Sequence, residues 1–245
     1  MNMKKILLLL ATAVLMTACV KPADERTRFS ILGDSYSTYE GYVQPDSNAV
    51  YPYENIGLTG VEQMWWAQVA DTTGWELERN NSFSGALMCN YNYANYYGPH
   101  SFIRRMDNLG NPDVIFIFGA TNDACAHNLD EPHEPVVALG DYIYSDWTEE
   151  QLCDFRPALA YIFNYLKTRY PKAKLYFLLD MNLGTGGVTE QRRAEFLASI
   201  HRIAQHYHVD CIDITGIHKS QWHPNVQGHK DIAEQVLDYL ETEGV

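Results

Sequence analysis

Hydrophobic residues along the chain fall into short continuous runs separated by longer segments of helical periodicity. The runs are residues 29–33 (FSILG), 114–119 (VIFIFG), 175–179 (LYFLL) and 209–214 (VDCIDI), with a weaker candidate at 75–79. Continuous apolar runs of this length are typical of strands buried on both faces. We therefore predict a sheet whose two faces are both covered.

The segments between these runs have the spacing of amphipathic helices. They are residues 61–72, 148–169, 189–207 and 225–242. The second begins with Thr-Glu-Glu-Gln at 148–151, which has the spacing of a capping box, and the third has a weaker version of it. Strands that alternate with helices predict βαβ units, hence a mainly parallel sheet in a three-layer α/β/α sandwich. Active groups of such proteins lie on loops at the carboxyl ends of the strands.

The first 27 residues have a different pattern. Lys4 and Lys5 precede an apolar run that is too short to span a bilayer, and small residues then precede Cys19. This resembles the signal of bacterial lipoproteins, which is cut before an acylated cysteine; an ordinary secretory signal with an incidental cysteine is the alternative. We expect a signal at 1–18, lipidation of Cys19, a tether at 19–27, one domain at 28–245, and an extracytoplasmic, membrane-anchored protein.

Composition excludes several classes of protein. The 245 residues are 46 % hydrophobic and 20 % charged, which is typical of globular proteins and not of disordered chains. The net charge of −13 argues against nucleic-acid partners, which require a basic surface. Four further cysteines allow three disulfide pairings, and none has C-x-x-C spacing. Sequence therefore predicts neither a zinc nor a redox site.

Four polar blocks follow the predicted strands in order. They are Gly33-Asp34-Ser35, residues 80–85 (NNSFSG), residues 119–123 (GATND) and His223-Pro224-Asn225. A serine at the end of a strand can act as a nucleophile when a base reaches it. The carboxyl ends of parallel strands meet at one edge of a sheet, so all four blocks are expected to meet there.

With these blocks in this order, nearly the whole chain from residue 28 resembles the SGNH (GDSL-type) hydrolases. The resemblance implies a flavodoxin-like fold and hydrolysis of acyl esters without a metal or cofactor. By the same analogy Ser35 is the nucleophile and His223 the general base. The backbone N–H groups of Ser35 and Gly85, with the Asn122 side chain, would form the oxyanion hole. These roles fit acyl transfer, which needs a nucleophile, a base and donors to the developing oxyanion.

One position departs from the family pattern. Its members usually have Asp three residues before the histidine, whereas this chain has Ser220. A serine or a backbone carbonyl can orient an imidazole but does not stabilise the imidazolium as a carboxylate does. We therefore expect a Ser35/His223 dyad, with Ser220 as a candidate orienting residue. Asp213, at the end of its strand, is a second, weaker candidate.

Three other features have more ordinary interpretations. His127, Asp130, Glu131, His133 and Glu134 have no ligand spacing on a helix and predict a solvated loop. His206, His208 and Asp210 lie at a helix–strand junction, where no metal site is expected. Residues 184–187 (GTGG) lack the lysine of a phosphate-binding loop and predict a flexible connection.

Seventeen tyrosines suggest the substrate class. Several follow the serine and glycine blocks, where they either flank the cleft or pack its walls: Tyr36, Tyr39, Tyr42, Tyr51, Tyr53, Tyr91, Tyr93, Tyr96 and Tyr97. Aromatic faces suit sugar rings. The leading hypothesis is thus an esterase for acetyl or other small acyl groups on glycans or small molecules. A lipase, lysophospholipase or thioesterase of the same fold is one alternative, and a catalytically weak glycan-binding lipoprotein is the other.

Overall fold

A computed structural model describes residues 26–43, 48–91, 98–125, 137–184 and 188–244. The predicted signal, Cys19, most of the tether, the 127–134 loop and residues 185–187 lie outside these ranges. So do three of the tyrosines, Tyr93, Tyr96 and Tyr97.

The core is a five-stranded, all-parallel sheet. Its strands, in chain order, are β1 (Arg28–Gly33), β2 (Glu76–Ser82), β3 (Val114–Phe118), β4 (Lys174–Asp180) and β5 (Asp210–Ile214). Their spatial order is β2-β1-β3-β4-β5, which is the flavodoxin-like order. The fold class predicted from the sequence is confirmed. The weak candidate at 75–79 is an edge strand that extends to Ser82, into the polar block that the sequence assigned to a loop.

Helices cover both faces of this sheet. They are α1 (Trp65–Thr73), α2 (Phe102–Arg105), α3 (Thr121–Cys125), α4 (Phe155–Arg169), α5 (Glu190–Tyr207) and α6 (Val226–Glu243). Side chains of β3 alternate between the faces: Phe116 belongs to the cluster with Trp65 of α1, and Ile117 to the cluster with Phe163 of α4. This alternation buries both faces, which explains the continuous apolar run of β3.

Helix starts differ from prediction where a 3₁₀ turn intervenes. The predicted capping box at Thr148 is present, with Thr148 N–H donating to Gln151 Oε1 (2.9 Å) and Gln151 N–H to Thr148 Oγ1 (3.3 Å). It lies just before the 3₁₀ turn Gln151–Cys153, whose own N-cap is Glu150, and α4 begins only at Phe155. Thr189 and Asn225 cap α5 and α6 through their side-chain oxygens.

A short antiparallel hairpin, which the sequence did not predict, precedes α6. It pairs β6 (Lys219–Ser220) with β7 (His223–Pro224). Its two-residue turn requires a positive φ of 57° at Gln221. No helix in the described part of the chain has the length and apolarity needed to cross a membrane.

Candidate active site

The four polar blocks meet at one cavity of about 300 Å³ beyond the carboxyl ends of β1 and β3. Ser35, Gly85, Asn122 and His223 each contribute to its lining. The other lining residues are Tyr36, Ser84, Thr121, Cys125, Gly184 and Trp222. The structure therefore brings together a serine, an imidazole and two groups able to donate to an oxyanion.

Ser35 occupies a tight turn directly after β1. It begins the 3₁₀ turn Ser35–Ser37, and Asp34 caps that turn by accepting from Tyr36 N–H at 3.0 Å. Ser82 of β2 and Ser37 of the turn leave no room beside Gly33, where an added Cβ would lie 2.6 Å from Ser82 Oγ and 3.0 Å from Ser37 Oγ. Glycine before Asp34-Ser35 is thus required by close packing of β1 on β2.

The side of the cavity lined by Gly85 and Asn122 is formed by the glycine loop and α3, which are bonded to each other. Gly85 has a φ of +74°, a conformation that glycine adopts without strain. The Asn122 amide, on α3, donates to Ala86 O (3.1 Å) and to Asp34 Oδ2 (3.4 Å). Asp123 accepts from Met88 N–H and Cys89 N–H at 2.9–3.3 Å. These bonds fix the glycine loop against α3.

Asp34 is a buried carboxyl at the centre of this arrangement. Its side chain bonds to both Tyr36 N–H and the Asn122 amide, so it connects the serine turn to α3. Burial raises its pKa from 3.8 to about 7, while the bond from Tyr36 and the charge of Arg105 oppose that rise. Burial likewise raises the pKa of Asp123 to about 6.

The raised pKa of Asp34 predicts a pH dependence of stability. Between about pH 4 and pH 7 the folded protein retains a proton that the unfolded chain has lost. Asp34 therefore lowers the free energy of unfolding progressively as pH rises through this window. We expect the Tm of Asp34→Asn minus that of the wild type to be more positive at pH 8 than at pH 4. Thermal unfolding across this range tests it, and an equal Tm difference at the two pH values would contradict it.

His223 is held in place by two tyrosine hydroxyls that donate to the backbone carbonyls of its neighbours in the hairpin. Tyr36 Oη donates to Trp222 O (3.1 Å), and Tyr51 Oη donates to Pro224 O (3.0 Å). Lys219 anchors the other strand of the hairpin through a buried ion pair with Asp180 at 2.5 Å. Burial, with a smaller effect of the Lys219 cation, lowers the pKa of His223, which favours the neutral imidazole that a general base requires.

The two candidates for orienting His223 have different surroundings. Ser220 lies opposite His223 in the hairpin, and its Oγ accepts from the Asn225 amide at 3.4 Å. Asp213 does not line the cavity; its carboxylate contacts His201 of α5 at 2.8 Å. Among the described residues, no carboxylate hydrogen-bonds to His223. The weaker candidate, Asp213, is therefore wrong.

The remaining predictions concern cysteines, metals and tyrosines. Cys89, Cys125, Cys153 and Cys211 are all free thiols, so none of the three pairings is formed. The described residues contain no group of three or more potential metal ligands. Tyr36, Tyr51 and Tyr53 surround His223, whereas Tyr42 is 45 % exposed. Tyrosines thus serve both to pack the site and to line the surface.

Sequence reasoning missed Arg105 and Lys219, which organise the site, and named Tyr53 only as one of nine tyrosines expected near the cleft. The half-buried Arg105 donates to the carbonyls of Gly33 (3.0 Å), Asn81 and His100 (2.6 Å). None of the three belongs to a strand-end block, and each acts through contacts distant in sequence. The tyrosine-rich stretch around residue 53 was the only available signal.

Comparisons with known proteins identify the family of this chain. Residues 27–240 match the family described as GDSL-like lipase/acylhydrolase. A Bacteroides ovatus protein described as a GDSL-like lipase is 41 % identical, with a TM-score of 0.76, over 89 % of this chain and 99 % of its own. A Bacteroides uniformis protein described in the same way is 35 % identical, also with a TM-score of 0.76, over 89 % and 96 %.

More distant structures show the fold alone. An acetyl xylan esterase of the rumen bacterium Butyrivibrio proteoclasticus is 17 % identical, with a TM-score of 0.58, over 91 % of this chain and 65 % of its own. No curated protein matches the chain. The family match and the two Bacteroides structures establish that the chain belongs to the GDSL-like lipase/acylhydrolases and is a carboxylic ester hydrolase.

Proposed function

We propose that the protein hydrolyses esters of small acyl groups, above all acetyl, on carbohydrates, through a Ser35/His223 dyad. The observation that carries the proposal is the convergence of Ser35, His223, Gly85 and Asn122 on one cavity. The site needs no metal or cofactor, because a neutral imidazole and fixed donors supply the base and the oxyanion stabilisation.

The geometry supports a two-step acyl transfer. Ser35 Oγ attacks the ester carbonyl carbon while the His223 imidazole takes the hydroxyl proton. The carbonyl oxygen becomes an oxyanion that accepts from the N–H groups of Ser35 and Gly85 and from the Asn122 amide, which gives up its long 3.4 Å bond to Asp34 Oδ2 to do so. The C–O bond then breaks, and the imidazolium returns its proton to the leaving alcohol. Water, deprotonated by His223, next releases the carboxylic acid and restores Ser35.

The size and rim of the cavity support a small acyl group on a sugar. A cavity of about 300 Å³ lies at the lower end of the range for ligand sites, and it is shared by the acyl group and part of the alcohol. Trp222 lies at its rim and is 57 % exposed, which is unusual for so large an apolar side chain. A flat exposed indole beside the reacting centre suits the apolar face of a sugar ring.

Hydrolysis of p-nitrophenyl esters of increasing chain length tests the acyl preference. We expect kcat/KM to be highest for acetate and to fall by at least about tenfold for octanoate, because a longer chain exceeds the cavity. A rise with chain length would instead favour the lipase, lysophospholipase or thioesterase alternative. Absence of serine-dependent turnover with glycan binding intact would favour the catalytically weak binding protein.

Trp222→Ala tests the carbohydrate part of the proposal. Loss of about 1–1.5 kcal/mol of stacking is expected to raise KM for an acetylated xylan oligosaccharide by about fivefold to tenfold. KM for p-nitrophenyl acetate, which has no sugar, is expected to change less than twofold. Val226→Ala, at another exposed apolar residue, is the matched control. Equal effects of Trp222→Ala on both substrates would contradict a sugar subsite.

We also propose a lipid-anchored, extracytoplasmic location. It rests on the sequence of residues 1–19, with Lys4, Lys5 and the small residues before Cys19. Without its first 18 residues the chain would have 16 basic and 31 acidic residues, a net charge of −15. Membrane fractionation of the full chain beside Cys19→Ser tests the anchor, and a membrane-bound Cys19→Ser variant would contradict it.

A further inference from the structure

The His223 imidazole is enclosed by three tyrosine rings. The Tyr53 ring is tilted against it, with centroids 4.6 Å apart and an interplanar angle of 35°. The ring centroids of Tyr36 and Tyr51 each lie 6.1 Å from that of His223, and their interplanar angles with it are 67° and 89°. Tyr53 therefore presents its ring face to the imidazole, and the other two rings lie across it.

This enclosure matters because the usual acid is absent. In a triad the carboxylate fixes the imidazole and stabilises the imidazolium that forms during acyl transfer. Position 220 holds a serine, and its Oγ is bonded to the Asn225 amide. Among the described residues the ring of His223 has no carboxylate partner. Both tasks of the acid must be performed by other groups if the dyad is active.

Tyr53 is itself held in place by the loops that form the site. Its hydroxyl donates to Ala49 O at 3.0 Å and lies 3.3 Å from Thr38 Oγ1 and 3.5 Å from Ser84 Oγ. Thr38 in turn donates to Ser35 O at 3.2 Å. The ring that packs against His223 is thus fixed to both the serine turn and the loop that carries Gly85.

We propose that Tyr53 replaces the acid of a triad: its ring positions His223 and stabilises the imidazolium through its π face. An aromatic face attracts a cation through its quadrupole, most strongly where water is excluded. His223 is half-buried, so the attraction is not fully screened. The proposal rests on the proposed Ser35/His223 dyad and assigns Tyr53 as a positioning residue.

Other titratable and charged groups near His223 do not supply this stabilisation. Lys219 on β6 opposes protonation, although its ion pair with Asp180 offsets its charge. His229 on α6 is buried, and its pKa is lowered to about 3, so it stays neutral. Burial raises the pKa values of Tyr36, Tyr51 and Tyr53, which keeps all three hydroxyls protonated. Asp34 is a buried acid whose carboxylate is bonded to Tyr36 N–H and Asn122.

The first test compares Tyr53→Leu with Tyr53→Phe, using Tyr42→Leu as a control on an exposed tyrosine. Tyr53→Leu is expected to lower kcat for p-nitrophenyl acetate about 10- to 30-fold. It is also expected to move the acidic limb of kcat/KM to lower pH, because an unstabilised imidazolium loses its proton more readily. Tyr53→Phe retains the ring and is expected to keep kcat within about threefold. An unchanged acidic limb in Tyr53→Leu would overturn the proposal.

The second test separates electrostatics from packing should Tyr53→Leu fold poorly. Pentafluorophenylalanine at position 53 keeps the ring but reverses its quadrupole, so kcat is expected to fall well below that of Tyr53→Phe. Equal kcat values for these two variants would overturn the proposal.

A third measurement is independent of turnover. NMR titration of His223 in full-length Ser35→Ala is expected to show a lower pKa when Tyr53→Leu is added, and an unchanged pKa would overturn the proposal. If the wild type showed no Ser35-dependent turnover, the Ser35/His223 dyad would be refuted. The effect of Tyr53 on the pKa of His223 would still be tested by this titration.

Discussion

Ser35→Ala is expected to lower kcat/KM for p-nitrophenyl acetate by at least about 10³-fold, with an unchanged fold. Removal of a nucleophilic serine eliminates the acyl-enzyme route, and the remaining rate comes from the oxyanion donors and binding alone. The Ser35 side chain forms no hydrogen bond with another described side chain, whereas its backbone carbonyl accepts from Thr38 Oγ1 at 3.2 Å. Alanine retains that carbonyl, so the turn should persist. Steady-state kinetics measure the loss of kcat/KM, and circular dichroism measures whether the fold is retained.

Two further variants test whether the nucleophile is Ser35. Ser145→Ala changes an exposed serine outside the cavity and is expected to keep full activity. Cys125 is a different case, since it lines the cavity as a free thiol. Burial raises its pKa to about 11, so at neutral pH it is a weak nucleophile. Loss of activity in Cys125→Ala with retention in Ser35→Ala would refute the assignment of Ser35.

Arg105→Ala is expected to lower the free energy of unfolding by about 3–5 kcal/mol. The Arg105 guanidinium donates to the carbonyls of Gly33 and Asn81, at the ends of β1 and β2, and to His100 O. Hydrogen bonds that involve a charged donor contribute about 1.5–3 kcal/mol each, and alanine would leave three carbonyls without this donor. Such a loss is a large fraction of the stability of a typical domain.

Urea unfolding measures this effect, with Arg104→Ala as the matched control. Arg104 is the exposed neighbour on α2, and its substitution is expected to change stability by less than about 0.5 kcal/mol. Arg105→Lys should recover little, because an ammonium cannot reach three separate carbonyls as a guanidinium does. If Arg105→Ala were as stable as Arg104→Ala, the three bonds would contribute nothing to stability.

The elements and their order were predictable because local pattern and tertiary environment agree. Buried strands such as β3 and β4 require apolar residues on both faces, and this requirement is visible as a continuous run. The edge strand β2 was only weakly predicted, since its polar residues 80–82 bond to neighbouring loops: the Asn80 amide donates to Ser37 O at 2.7 Å. The hairpin β6–β7 carries no repeating pattern, because each of its strands has two residues.

The candidate site was predictable only in part. Four of its residues follow strands that end at one edge of the sheet: Ser35, Gly85, Asn122 and His223. Their positions along the chain therefore predicted that they lie close together. Arg105 and Tyr53 follow no strand, and their contacts are distant in sequence: Arg105 bonds to Gly33 O across 72 residues, and the Tyr53 ring packs against His223, much farther along the chain. Asp34 was visible beside Ser35, but its bond to Asn122 links residues 88 apart.

The sequence by itself determined the fold class, the order of the strands along the chain and four residues that line the cavity, Ser35, Gly85, Asn122 and His223. These features depend on residue type and on periodicity along the chain. Only the tertiary structure decided what surrounds those groups: the burial of Asp34, the free state of the cysteines, the contact of Asp213 with His201 and the packing of Tyr53 on His223. Burial and contact depend on which distant residues become neighbours, and that information arises only when the chain folds.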